Sequence, residues 1–217
     1  MLYTVLAIAG FICYFWYFEF RKDLRMNGWV LIPVILYLLI LGTLCTMVFA
    51  RFETRISQNH SEGNLSLYGA IYLMWGFNVL LGFVIKRDPK MLCDIYTPGL
   101  ILSLILVRLN CFQAGCCLGK LIPGMDVRYP VREIELIFQV TMLVIFAKKA
   151  TKKKFDGSLY PLYAFTYSIF RFVVQFFREP GNIVFGTVSI SHVWSVLAIV
   201  IGYLAFRKLK VLPAKGK

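Results

Sequence analysis

Seven stretches of the chain are almost free of charge, and short polar segments separate them. They run over 2–18, 29–50, 65–85, 91–109, 134–147, 158–176 and 187–206. A helix crosses the hydrocarbon core of a bilayer with roughly 20 mostly apolar residues, so the pattern predicts seven transmembrane helices. The fifth stretch is short for a span and must borrow flanking residues. The fourth and sixth each carry a guanidinium, Arg108 and Arg171. The connections are brief, and the chain has no internal repeat or low-complexity tract. It therefore reads as an all-α, polytopic membrane protein, a single seven-helix domain over 1–217. Residues 1–18 lack the basic n-region and A-x-A site of a signal peptide and read as a retained first span.

Composition agrees with the pattern. Hydrophobic residues make up 59% of the 217 and charged residues 16%, whereas a soluble domain carries about a quarter charged. Lys and Arg are unevenly divided between the two ends of the predicted spans. The odd-numbered connections and the C-terminal tail hold 16 of the 24, including Arg21, Lys22, Lys86, Lys148 and Arg207. The opposite side holds six: Arg51, Arg55, Lys120, Arg128, Arg132 and Arg178. Basic loops stay cytoplasmic, which predicts an outside N-terminus and a cytoplasmic C-terminus. The net charge of +13 is accounted for by this asymmetry and does not indicate nucleic acid.

With that topology three polar segments open on the outer side. They are "GNLSLYG" (63–69), "RLNCFQAGCCLGK" with "RYPVREIE" (108–135), and "RFVVQFFREPGN" (171–182) with "SISHVW" (189–194). Arg108 and Arg171 stand out. An ionised group within the bilayer costs about 2.5 kcal/mol or more and by default marks a functional site, although a long Arg can also snorkel to the headgroups. Two on one leaflet beside Gly-rich turns point to a site, and a guanidinium fork suits phosphate. A phospholipid headgroup is the nearest phosphate.

Six cysteines are present. Cys13, Cys45 and Cys93 read as small apolar packing residues. Cys111, Cys116 and Cys117 admit four readings: tight packing where the fourth helix breaks, a disulfide on an oxidising face, a thiolate favoured by Arg108, or zinc. Packing or a disulfide ranks above a nucleophile. Zinc ranks last for want of an evident fourth ligand, so no metal and no cofactor are expected.

These residues resemble the bacterial prolipoprotein diacylglyceryl transferases. "VRLNCFQAGCCLG" is similar to the family signature G-R-x-G-N-F-x-N-x-E-x-x-G and keeps Arg108, Phe112, Gly115 and Gly119. "YPVREIE" resembles H-P-S-Q-L-Y-E, keeping Pro130 and Glu135. "YAFTYSIFRFVVQFFREP" resembles F-R-F-x-V-E-F-F-R-x-P, keeping Arg171, Arg178 and Pro180. "YTVLAIAGF" places Tyr3 on the family tyrosine. The departures are as informative. Tyr68 stands in place of the family's histidine, Cys111 of its signature Asn, Cys116 of its Glu, and Gln175 of its helix-6 Glu. The family arginine of helix 2 is missing from "LGTLCTM", and "ISH" brings in His192.

The resemblance implies transfer of a diacylglyceryl group from phosphatidylglycerol to a cysteine thiol of a lipoprotein precursor, at the outer face of the bacterial cytoplasmic membrane. Such a reaction needs a base for the thiol and cations for the leaving phosphate. Arg108 and Arg171 supply the cations, and Tyr68 or His192 is the expected base. Tyr3, Gly119, Glu135, Gln175 and Arg178 join Arg108 and Arg171 as expected substrate-binding residues. Glu135 is equally well explained as a structural partner of Arg132 or Arg128. Glu179 reads as solvated, and His60 as an exposed loop residue. A lipid- or lipoprotein-binding scaffold and a transferase for another lipid or acceptor are the competing readings. A transporter ranks last, because transporters show repeated halves and midplane charges.

Overall fold

The structure is a computed structural model that describes residues 2–57, 66–152, 155–179, 183–186 and 188–211, with side chains described from Leu6 to Lys208 within those ranges. Seven α-helices form among the described residues. They are α1 (Leu2–Glu19), α2 (Gly28–Ile56), α3 (Leu67–Val84), α4 (Pro89–Ala114), α5 (Val131–Thr151), α6 (Leu159–Gln175) and α7 (Ile190–Val211). A small antiparallel ribbon, β1 (Ile183–Phe185) and β2 (Val188–Ser189), precedes α7. The predicted helices are all present. The fifth is longer than its apolar stretch, because Arg132, Glu133, Lys148 and Lys149 join its ends. Its 21 residues extend about 31 Å at 1.5 Å per residue.

Four helices, Gly28–Ile56, Leu67–Val84, Pro89–Ala114 and the Ile190–Lys208 part of α7, are long and apolar enough to cross a membrane. The distribution of side chains is inverted relative to a soluble protein. Phe11, Ile40, Phe83, Leu109, Ile137, Val173 and Leu204, one from each helix, are exposed. Asn78, Asp94, Thr97, Glu135, Gln139, Ser168, Arg171, Gln175 and Ser195 are buried. Contiguous apolar surface on this scale marks an apolar surrounding. The buried polar groups must then find partners inside the protein.

α4 is the central helix, packing on α1, α3, α5 and α6. Asp88 caps its start by accepting from the Lys90 N–H at 2.9 Å, with Pro89 at the first helical position, where a missing N–H costs nothing. Two turns on, the fully buried Asp94 accepts from the Gly157 N–H at 2.8 Å and the Leu159 N–H at 3.0 Å. This carboxylate pins the start of α6 to α4. Trp16 ties α1 to the same region by donating to the Ile95 carbonyl at 3.0 Å. Close approach of α2 and α3 depends on Gly69, where a Cβ would lie 2.3 Å from the Cys45 carbonyl oxygen.

At the opposite end of the bundle α2, α4 and α6 finish while α3, α5 and α7 begin. Ser66 donates to the buried Glu53 at 2.9 Å there, joining the end of α2 to the start of α3. The segment after α4 folds back as a hairpin: Leu121 pairs with Arg128, and Gly119 pairs with Arg178 beyond α6.

Asp94→Ala leaves two buried N–H donors without an acceptor and should destabilise the protein by about 3 kcal/mol. Asp94→Asn, which retains one acceptor oxygen, should fall in between. Thermal unfolding in detergent measures both, and an unchanged midpoint for Asp94→Ala would show that the α4–α6 link is dispensable.

Candidate functional site

Glu135 lies on the buried face of α5 with Val131 and Gln139, at the four-residue spacing that aligns side chains along one side of a helix. That face meets α4 and α6. Arg108, near the end of α4, places Nη2 2.6 Å from Glu135 Oε2. Arg171, in the last turns of α6, bonds Glu135 Oε1 through Nη1. Arg178, just beyond α6, brings Nη1 to 3.4 Å from the same oxygen. Glu135 is 2% exposed and Arg171 8%. Three guanidiniums from separate segments thus converge on one carboxylate.

The pairing of Glu135 with Arg132 or Arg128 is corrected by this geometry. Arg132 lies on the flank of α5, over the Phe112 ring at 4.9 Å. Arg128 bonds Glu179 and also donates to the Gly119 carbonyl at 3.0 Å, so Glu179 is paired and not merely solvated. Three cations share Glu135, and the site holds an excess of positive charge. A buried charge without a partner costs several kcal/mol, so this arrangement favours an incoming anion.

Next to the cluster is a cavity of about 560 Å³, within the range of small-ligand pockets. Phe172, Phe176, Val193 and Val196 give it apolar walls, and Gln175, Arg178, Lys120 and His192 supply polar groups. His192 Nδ1 accepts from the Ser189 N–H at 3.3 Å and lies 3.1 Å from Ser189 Oγ. Its Nε2 has no hydrogen-bond partner among the described residues, and neither does Gln175 Oε1.

Tyr68 lies within electrostatic reach of Arg171, but its hydroxyl is engaged elsewhere. Its hydroxyl lies 2.5 Å from Ser195 Oγ. Ser195 gives its own proton to the Ser191 carbonyl at 2.7 Å, and a serine hydroxyl has one proton to give. Tyr68 is therefore the donor, and its proton is committed.

The cysteine segment begins where α4 ends. Gly115 adopts a left-handed conformation (φ 65°) at the C-cap, where glycine meets no Cβ penalty. Cys117 follows with φ 61°, which is costly for a residue with a side chain. The double reversal turns Cys117 back onto the last turn of α4, with its Sγ 3.8 Å from that of Cys111. Gly119 then packs against Tyr129, whose carbonyl oxygen would lie 2.2 Å from an added Cβ. Hydrogen bonding with Cys111, then the charges of Arg178 and Arg108, draw the Cys117 thiol below the ordinary range despite burial. Burial and the neighbouring Arg171 draw Arg178 down somewhat.

Arg108, Arg171, Arg178 and Glu135 meet directly, and His192 and Gln175 share the adjoining cavity with Arg178. Gly119 contributes backbone pairing to Arg178. Tyr68 lies near Arg171 with its hydroxyl bonded to Ser195. The Tyr3 side chain, His60 and Pro180 lie outside the described residues. Ser195, Lys120 and Phe172 are additions. Helical spacing carried a signal for two of them, since Ser195 follows His192 by three and Phe176 follows Phe172 by four.

The prolipoprotein diacylglyceryl transferase family profile matches residues 1–207. The phosphatidylglycerol–prolipoprotein diacylglyceryl transferase 2 of Clostridium perfringens is 30% identical over 148 residues, 61% of this chain and 58% of that protein. The Campylobacter curvus phosphatidylglycerol–prolipoprotein diacylglyceryl transferase is 30% identical over 196 residues, 88% of this chain and 52% of the relative. The Helicobacter pylori enzyme of the same name is 28% identical over 167 residues, 63% and 58% respectively. The chain thus spans between about half and three-fifths of the length of the relatives it matches. With the family profile matched over nearly the whole chain, the protein belongs to the prolipoprotein diacylglyceryl transferase family.

Proposed function

We propose that this protein moves a diacylglyceryl group from a phosphatidylglycerol-like lipid to the cysteine thiol of a lipoprotein precursor. On this reading the seven helices all span the bacterial cytoplasmic membrane, with the N-terminus outside and the site at the outer leaflet. The observation that carries it is the meeting of Arg108, Arg171 and Arg178 on the single carboxylate of Glu135. A lipid phosphodiester is the anion that such a cluster, set at the end of a bundle of apolar helices, is suited to receive. Guanidiniums held in place before the lipid arrives cost no reorganisation as the leaving phosphate gains charge.

In this mechanism Arg108 and Arg171 hold the phosphate, Arg178 lies at the rim, and Glu135 orients all three. The apolar walls given by Phe172, Phe176 and Val193 receive acyl chains. Gln175 and the backbone at Gly119 line the approach of the substrates. The acceptor thiol loses its proton to His192 at Nδ1, which gives up its bond from the Ser189 N–H as it takes the proton, while Nε2 already carries the ring hydrogen. The thiolate then displaces glycerol phosphate from the lipid carbon. Tyr68 is the weaker candidate for the base, because its hydroxyl already donates to Ser195.

The test is transfer of label from radiolabelled phosphatidylglycerol to a lipobox peptide by the full chain in nanodiscs. Label on the peptide supports the reaction. Tight binding of the lipid by the wild type with no transfer would favour the scaffold reading instead.

Arg171→Lys keeps the charge but loses the planar fork, and should slow transfer about 100-fold. Glu135→Gln should lower thermal stability, since three guanidiniums would then repel without a counter-charge, and bound lipid phosphate should restore part of the loss. His192→Ala should reduce transfer by about 100-fold, while Tyr68→Phe stays close to wild type. Full activity in His192→Ala would remove that residue from the reaction.

A further inference from the structure

The chain reversal after α4 assembles a second chemical group beside the arginines. The Sγ atoms of Cys111, Cys116 and Cys117 all lie within 4.8 Å of one another, and the Cys111–Cys117 separation is 3.8 Å. Two thiolates bound tetrahedrally to zinc at about 2.3 Å stand about 3.8 Å apart. Cys111 is buried, Cys117 half-buried and Cys116 exposed. The cluster therefore has a closed floor and an open mouth, and the Cys116 Sγ already points back toward the last turn of α4, 3.9 Å from the Cys111 carbonyl oxygen.

Among the described residues the metal-ligating group here comprises these three side chains. A structural zinc site is closed by four protein ligands, whereas a catalytic site keeps one position open. The missing fourth ligand, which counts against zinc in the sequence, fits the catalytic arrangement. Charge agrees as well. Zinc with three thiolates carries a net charge of −1. The arginine trio with Glu135 carries +2, so a negatively charged zinc–thiolate group would stand beside a positively charged one. Arg108 stands one turn before Cys111 on α4, which puts the two groups side by side.

We propose that Cys111, Cys116 and Cys117 bind a zinc ion through three thiolates and that its open fourth position takes the acceptor thiol of the substrate. The proposal deepens the transferase reading and rests on it for the identity of the acceptor. On binding, the acceptor S–H gives its proton to His192 and its sulfur becomes the fourth thiolate. A sulfur lone pair forms the new C–S bond at the glyceryl carbon. The C–O bond to phosphate breaks, and its electron pair leaves with glycerol phosphate between Arg108 and Arg171. His192 returns the proton to that phosphate, and the thioether, a poor ligand for zinc, departs. No oxidant or reductant is consumed.

The full chain, purified in detergent with a phosphine reductant and no chelator, should contain one zinc per molecule by elemental mass spectrometry. After chelation, titration with cobalt(II) should give thiolate-to-metal charge-transfer absorption and tetrahedral visible bands. A lipobox peptide should shift those bands, and the same peptide with serine for cysteine should not. Cys116→Ser should weaken zinc binding more than about 100-fold, and the cobalt titration of the wild type decides the matter even if that variant folds poorly. Absence of the charge-transfer bands, or a Cys111–Cys117 disulfide in protein alkylated directly in membranes, would overturn the site. Transfer of label that continues unchanged in zinc-free protein would also overturn it and leave the transferase reading standing. Stoichiometric zinc and a peptide-dependent band shift without any transfer would uphold the metal site while sinking the transferase.

Discussion

The polar end of this molecule is organised around one carboxylate that faces three guanidiniums. Glu135 receives Arg108 from α4, Arg171 from α6 and Arg178 from the segment beyond α6. Removing either sign of charge from such a buried group leaves the other uncompensated, at several kcal/mol. The cluster therefore fixes the relative positions of α4, α5 and α6 at the end where the cavity opens. It also leaves those arginines incompletely neutralised, so rigidity and affinity for an anion come from the same contacts.

The second constraint is the apolar surrounding. Side chains that a soluble protein would hide are turned outward on every helix, and carboxylates and amides are turned in. Asp94 satisfies two backbone N–H groups at one end of the bundle, and Glu135 gathers three arginines at the other. In each case an acidic residue on a central helix joins segments distant in sequence. Helices with similar lipid-like faces gain little from hydrophobic contact with one another, so such polar links and close backbone approaches carry much of the packing. Gly69, lying against the Cys45 carbonyl, is one such approach.

Several departures from the family signatures that the sequence resembles lie near the arginines. At the positions where the resembled family signatures have His, Asn and two Glu, this chain has Tyr68, Cys111, Cys116 and Gln175. These changes remove acidic and basic groups and add sulfur, while Arg108, Arg171 and Glu135 remain. On the proposed reading, the retained set would handle phosphate, and the altered set would lie where the acceptor is activated.

The seven helices were legible along the chain because apolar runs of membrane-crossing length are set by local composition alone. Arg108 and Arg171 were legible as unusual for the same reason: a guanidinium in an apolar run is costly wherever the helix packs. The partner of those arginines was not. Glu135 stands three residues from Arg132 and seven from Arg128, and only the rotation of α5 about its axis directs it toward α4 and α6 instead. The commitment of Tyr68 to Ser195 and the convergence of three sulfurs depend likewise on helix rotation and on a left-handed turn at Cys117. Sequence determined which residues sit at the polar end, through hydropathy and periodicity. Tertiary structure decided which of them touch, because the facing of a helix is chosen by the summed packing of its neighbours and not by any one segment.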